Sequence, residues 1–326
     1  EAERLRQAYL QRYPSARVAS VTSCLDIQCC YPFHEFAETI TCDLSFGDEL
    51  PFPDWDLFDS ITVLRARWQT GEWSYPIMTS TGCPFGCSYC AARRTRWQAR
   101  SPEHCAAELR EAVERWGIRR FQVMDDCFNV DRDRALAFCE AVAPLGLPWG
   151  CANGLRADRF DEQLAIALSD AGCHHVAFGI ESTDPAVLAG IDKGETLEQI
   201  EQAVAVARRH LGVAGFFILG LPGSSYASDL QSIRWALRQG ITGHFSFYVP
   251  QADSISDQPF YGPGARPLSD AYPAHLQQRL YDLTACWRGG EPVRRFAYLR
   301  LLWAVDKPRF LRVVVGKLAG RLGPRR

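Results

Sequence analysis

From residue 74 onward the chain alternates strand-like and helix-like segments, and this alternation limits its fold more than any other feature. The strand-like pieces are YPIMTS (75–80), RFQVMDD (120–126), PWGCAN (148–153), HVAFGIES (175–182), AGFFILG (214–220) and HFSFYVP (244–250). Each is β-branched or aromatic and largely apolar, as a strand buried on both faces requires. Between them run helical patterns over 102–116, with Ser101 as N-cap and Pro102 at the first position, and over 132–143, 161–171, 196–211 and 226–239. Six strands with intervening helices predict a parallel sheet of right-handed βαβ units. Polar or special residues gather where each strand ends, and in a βα barrel those ends converge on one mouth. The expected class is therefore α/β, a partial (β/α)6 TIM-like barrel of parallel strands with a short N-terminal segment and a helical C-terminal extension.

The expected domains are an N-terminal segment and linker over 1–70, a barrel core over 71–250 and an extension over 251–326 with a basic amphipathic helix. At 326 residues and 47% hydrophobic composition the chain can bury a sizeable core. No apolar run is long enough to span a membrane, and EAERLRQAYLQRYPSA reads as a charged helix rather than a signal segment, so the expected location is cytoplasmic. The chain begins at Glu1 without a methionine, which fits a trimmed product or a fragment. Residues 293–326 hold ten Lys or Arg against Asp306 alone, interleaved with Phe296, Leu299, Leu302, Trp303, Leu311 and Val314. A solvated basic face and peripheral membrane contact are the two readings of this tail, and no nucleic-acid partner is expected.

Thirteen cysteines without a secretion signal point to metal ligands, catalytic thiols or core residues rather than disulfides. Cys105, Cys139, Cys151, Cys173 and Cys286 fall in helical or strand patterns and read as core. Cys83, Cys87 and Cys90 differ, because TGCPFGCSYC sets them in a glycine-bearing loop directly after the first strand. A structural zinc site needs four Cys or His ligands, usually as two pairs, and no second C-x-x-C occurs in the chain. Three thiolates instead suit an iron–sulfur cubane with one iron left for a non-protein ligand.

C-x-x-x-C-x-x-C after a first barrel strand, with Tyr89 just before the last cysteine, resembles the signature of radical S-adenosylmethionine (radical SAM) enzymes. The resemblance runs from about residue 74 to 250. It implies that Cys83, Cys87 and Cys90 hold a [4Fe-4S] cluster whose fourth iron is chelated by SAM, with one-electron cleavage yielding a 5′-deoxyadenosyl radical. It also implies cofactor contacts: Tyr89 near the adenine, Asp125 or Asp126 near the SAM amino group or the substrate, and Asn153 and Arg156 facing ribose and carboxylate. Glu181 and Ser182 fall at the end of the fourth strand, Lys193 would pair with the SAM carboxylate, and Gly220, Pro222 and Gly223 would lie near the adenine. Each has a plainer reading as a cap, a surface charge or a turn.

ELPFPDWD, DDCF and KGETLEQI resemble the branch that usually carries an N-terminal cobalamin domain and performs methyl transfer, ring formation or rearrangement. The seventy residues before the barrel lack D-x-H-x-x-G, so cobalamin is not supported by this chain. Cys24, Cys29, Cys30 and Cys42 match no ligand spacing that would define a second cluster. The implied partners are a reductant such as flavodoxin or ferredoxin and a small-molecule, lipid or natural-product substrate. A non-catalytic iron–sulfur electron-transfer module and a binding module with a basic tail are the competing classes.

Overall fold

The computed structural model describes residues 18–21, 40–42, 46–57, 60–248, 271–284, 298–304 and 306–313. Six parallel strands form one sheet in sequence order: β1 (Tyr75–Ile77), β2 (Phe121–Val123), β3 (Trp149–Leu155), β4 (Cys173–Glu181), β5 (Gly212–Leu219) and β6 (Thr242–Phe247). Each pairs in parallel register with the next, and β1 and β6 are the edges, as a partial barrel requires. The register slips between Gly179 and Glu181, so the end of β4 is bulged where the strand leaves the sheet. Two-residue strands Ser80–Thr81 and Gln98–Ala99 form a separate antiparallel pair, as do Val18–Val21 and Ile40–Cys42.

The connecting helices are α1 (Ile61–Thr70), α2 (Pro102–Trp116), α3 (Arg132–Val142), α4 (Glu162–Asp170), α5 (Pro185–Gly190), α6 (Leu197–Ala207), α7 (Tyr226–Gln239) and α8 (Ala274–Leu283). Their starts are chemically specified. Ser101, Asp131, Asp161, Asp184, Thr196 and Ser225 each accept a hydrogen bond from a main-chain N–H of the first turn of α2 to α7. Because these helices follow strands, α2, α3, α4, α5 and α7 open on the side where the strands end.

The core is aromatic. Trp149 stacks on Phe121 at 5.3 Å and meets Phe138 and Phe128 edge-on. Cys105, Cys139, Cys151 and Cys173 are buried in it as free thiols. The stretch before the barrel, expected as a linker, is docked instead. Asp54 and Asp56 both lie 2.6 Å from Arg115, while Trp55 donates to the Tyr75 hydroxyl at 3.2 Å. The sequence pattern also missed α1, which buries only Leu64 and Trp68.

A second cluster joins α7 and the last strands to the extension through Leu219, Ile233, Leu237, Phe247, Leu280, Leu301 and Leu302. Leu302, read from the sequence as part of a membrane-facing stripe, is thus enclosed, while Trp303 and Leu311 are exposed. No helix among the described residues is long and apolar enough to cross a membrane. Cys24, Cys29, Cys30, Cys286, the expected strand residues 249–250 and tail residues 293–297 and 314–326 lie outside the described residues.

Candidate active site

After β1 the chain is caught by two acids from the end of β2. The Asp125 carboxylate, wholly buried, accepts from the Thr79 N–H and the Thr79 hydroxyl at 2.6 Å each and from the Ser80 hydroxyl at 2.7 Å. Arg134 braces the same turn from α3, donating to Thr79 O at 2.7 Å and Arg100 O at 2.8 Å. The exposed Asp126 accepts from the Gly82 N–H at 2.7 Å. The cysteine loop therefore springs from a root anchored by charge-assisted hydrogen bonds.

Within the loop the chain folds back on itself. Cys83 N–H donates to Thr95 Oγ1 at 2.8 Å, Thr95 N–H returns to Cys83 O at 3.0 Å, and Arg94 N–H reaches Phe85 O at 2.8 Å. Cys90 N–H closes onto Cys87 O at 3.1 Å. Cys87 is buried; Cys83 and Cys90 are partly exposed. Burial, and then the charge of Cys87, push the Cys83 thiol up, and Cys90 is raised by burial and by both other cysteines. Among the described residues no three His, Cys, Asp or Glu side chains are arranged to share one metal ion. Three thiols on one loop that do not meet at a single point fit a multi-iron group, in which each thiolate takes its own iron.

A buried ionic network backs the loop. Glu181, at the end of β4, has φ +64°, a conformation a non-glycine residue seldom holds. Burial raises its carboxyl, against the opposing pull of Lys193 and of the nearby Tyr89 hydroxyl. Lys193 Nζ lies 3.6 Å from Glu181 Oε1 and 3.1 Å from Glu195 Oε2. Burial works against the Lys193 charge, but Glu181 and Glu195 more than offset it and hold it above lysine's ordinary value. Gly179 makes room for the pair, since a Cβ there would sit 2.8 Å from Glu181 Oε1 and 3.0 Å from Lys193 Nζ. Arg156 pairs with Asp158 at 2.8 Å and stacks over Phe85 of the cysteine loop at 3.7 Å.

The structure thus joins Tyr89, Arg156, Glu181 and Lys193 beside the cysteines, with Asp126 at the loop's root. Asp125 is enclosed behind that root. Asn153 donates to Met124 O at 2.9 Å, and the Ser182 hydroxyl accepts from Asp184 N–H at 3.1 Å, so both are engaged within the βα turns. Sequence reading passed over Glu195, Asp158 and Phe85. It also passed over Cys127, buried two residues beyond Asp125, whose thiol is pushed up to about 12 by burial and by Cys83.

Gly220 lies at the end of β5, where its N–H donates to Asp229 Oδ2 at 2.6 Å; Pro222 and Gly223 are exposed on the turn beyond. Asp229 also accepts from the Tyr272 hydroxyl, tying α7 to residues before α8. Burial, opposed by these bonds, pushes its carboxyl up to about 6. A raised folded-state value means that the contribution is complete below the unfolded value near 3.8 and is lost as pH rises through about 6. Stability is expected to fall by about 2 to 3 kcal/mol across that window, and Asp229→Asn to flatten the slope. Urea unfolding at closely spaced pH values between 4 and 7 checks it, and an unchanged slope in the variant would refute the assignment.

Residues 77–236 match the model of the Radical SAM superfamily. The chain is 32% identical over 198 residues to an uncharacterized methyltransferase of Pyrococcus horikoshii, covering 60% of this chain and 42% of the relative. It is 30% identical over 185 residues to cytidylyl-2-hydroxyethylphosphonate methyltransferase of Streptomyces wedmorensis, covering 54% and 35%. The fold is shared with TsrM, a radical SAM methyltransferase from Kitasatospora setae solved with tryptophan and a SAM analogue, at TM-score 0.50 and 23% identity over 59% of this chain and 37% of that one. The chain spans less than half the length of these curated relatives. A parallel βα barrel with a three-cysteine loop after its first strand, matched by the family model from the end of β1 into α7, makes residues 77–236 a domain of the Radical SAM superfamily, whose members use a [4Fe-4S] cluster and SAM.

Proposed function

We propose that this chain is the catalytic core of a radical SAM enzyme, with Cys83, Cys87 and Cys90 as the cluster ligands and Tyr89, Arg156 and Glu181 lining the cofactor side of the site. The observation that carries this reading is the loop itself: three thiols on a turn anchored at Gly82 and Thr95, facing a buried network rich in carboxylate. Glu181, Glu195 and Asp158 outnumber Lys193 and Arg156 by one negative charge, which complements the sulfonium of SAM. The bound cofactors would supply one-electron cleavage of SAM, giving a 5′-deoxyadenosyl radical that takes hydrogen from the substrate. The protein's part is to fix three thiolates, hold Glu181 in place and keep the site enclosed.

The activities of both curated relatives favour methyl transfer, and the phosphonate acted on by the second favours a small-molecule acceptor; rearrangement is the other outcome that the branch resemblance implies. The electron comes from a protein reductant such as flavodoxin or ferredoxin. Residues 71–250 form the catalytic core in this reading, 1–70 lead into it and 251–326 extend it.

One observation favours a second reading. Cys127 lies close enough to Cys83 for the charge of Cys83 to raise its thiol, and a fourth protein thiolate would make the cluster a closed electron-transfer centre. Against this, its Sγ is engaged with Asn129 Oδ1 at 3.6 Å, within the turn after β2. The test is anaerobic reconstitution with iron and sulfide, addition of dithionite and SAM, and quantification of 5′-deoxyadenosine. Wild type and Cys127→Ser are expected to hold four irons and release the nucleoside. The Cys83→Ala, Cys87→Ala, Cys90→Ala variant is expected to do neither. A cluster that depends on Cys127 and ignores SAM would reverse the order of the two readings, and adding cobalamin to the wild type asks whether methyl transfer needs it.

A further inference from the structure

Between α5 and α6 the chain runs alongside the cysteine loop: Ser88 N–H donates to Ile191 O at 2.9 Å. Two residues later it turns Lys193 and Glu195 inward. The Glu195 side chain is fully enclosed, and its Oε1 accepts from the Ala157 N–H at 2.5 Å and the Asp158 N–H at 3.3 Å. Its Oε2 faces Lys193 Nζ, and Arg156 follows at 4.0 Å. Arg156 in turn donates to Lys193 O at 3.1 Å and Gly194 O at 3.4 Å. The turn after β3 and the segment before α6 are thus fastened twice, once by Glu195 and once by Arg156.

We propose that Lys193 is an internal counter-ion rather than a ligand contact, and that Glu195 is a positioning residue: the Glu181–Lys193–Glu195 bridge holds the end of β4 and the turn after β3 against the cysteine loop. The proposal rests on the function proposed above only for what the site receives. The family resemblance implies a place for Lys193 on the carboxylate of SAM. In the fold its charge is already matched by two carboxylates, and a third would have to displace one of them.

The bridge also explains how Glu181 keeps a left-handed backbone. A non-glycine residue holds such a conformation only where its surroundings over-determine it. Here Lys193 lies 3.6 Å from the carboxylate, the Tyr89 hydroxyl is near it, and Gly179 leaves the space that Glu181 and Lys193 need. Glu195 keeps Lys193 from swinging wholly onto Glu181. Glu195 therefore acts on the site through Lys193 and Glu181, without touching what binds there.

Buried ion pairs supply the test, because removing one partner strands the other while removing both leaves little uncompensated charge. Lys193→Met strands two carboxylates, and its unfolding midpoint is expected to fall by on the order of 10 °C. Adding Glu195→Gln, whose carboxamide oxygen still accepts from Ala157 and Asp158, is expected to recover about half of that fall or more. If Lys193→Met does not fold at all, recovery of a folded double variant is the same result. In the reconstituted chain, SAM affinity is expected to fall about tenfold in Lys193→Met and to return within a few-fold of wild type in the double variant.

Three results would overturn the proposal: an unfolding midpoint that Lys193→Met leaves unchanged, a fall that Glu195→Gln does not reduce, or a double variant that regains its midpoint but not its SAM affinity. The last would make Lys193 a direct ligand contact. If the wild type itself binds no SAM, the proposed function fails while the unfolding midpoints still decide the bridge.

Discussion

Gly82→Ala is expected to abolish cluster loading, leaving iron per chain below about a tenth of wild type. Gly82 has φ +80°, where an L-residue is strained by about 1 to 2 kcal/mol, and an added Cβ would lie 2.2 Å from Arg96 O and 2.8 Å from Arg96 C. Those atoms are backbone and cannot swing aside as a side-chain end would. The Arg96 backbone lies just before the Gln98–Ala99 strand that pairs with Ser80–Thr81, so relief of the clash must open the hairpin at the loop's base. The Gly82 N–H bond to Asp126 and the Cys83–Thr95 pair of bonds lie within one residue of the displaced atom. A loss of about 3 kcal/mol or more in stability is expected with the loss of iron. Gly146→Ala is the control, since Gly146 has φ +61° but nothing within 4 Å of the added atom. It shares the backbone strain without the clash, so iron analysis and thermal unfolding of the two variants separate them. Equal iron in Gly82→Ala and wild type would remove the anchored loop from the argument.

Such a site is only partly legible in a sequence, and the reasons are physical. The bounds of α2 and α7, Pro102–Trp116 and Tyr226–Gln239, could be read directly because a polar cap begins each and a left-handed glycine ends it. The apolar pattern carries the first strand to residue 80, yet its ladder stops at Ile77, because Asp125 draws Thr79 and Ser80 out of the sheet. Local hydropathy cannot register that long-range bond. The helical pattern of α6 runs on to 211, but after Ala207 the chain tightens into a turn in which His210 N–H and Leu211 N–H both reach Ala207 O. The three cysteines were visible because spacing carries their chemistry. Glu195 was not, because a charged residue just before a helix cap reads as solvated until the fold folds it inward.

Asp125→Ala is expected to cost about 3 to 5 kcal/mol and to lower the unfolding midpoint by about 10 °C, an effect set by what the carboxylate leaves behind. The Thr79 N–H and two hydroxyls would lose their acceptor inside a fully buried turn, and each stranded buried donor costs about 1 to 3 kcal/mol. The hydroxyls can turn to other acceptors, but the main-chain N–H cannot. Arg134 would still hold Thr79 O and Arg100 O, so the barrel is expected to survive while the root of the cysteine loop loosens. Asp126→Asn supplies the contrast, because its exposed side chain accepts only from Gly82 N–H and weakly from Thr81, and an amide oxygen can replace the shorter bond. That change is expected to stay within about 1 kcal/mol. The pair also decides what Asp125 is for. A residue that touches SAM would lower SAM affinity in Asp125→Ala and leave the unfolding midpoint intact, whereas a brace enclosed behind the loop lowers the midpoint first and loses iron and SAM together as a consequence.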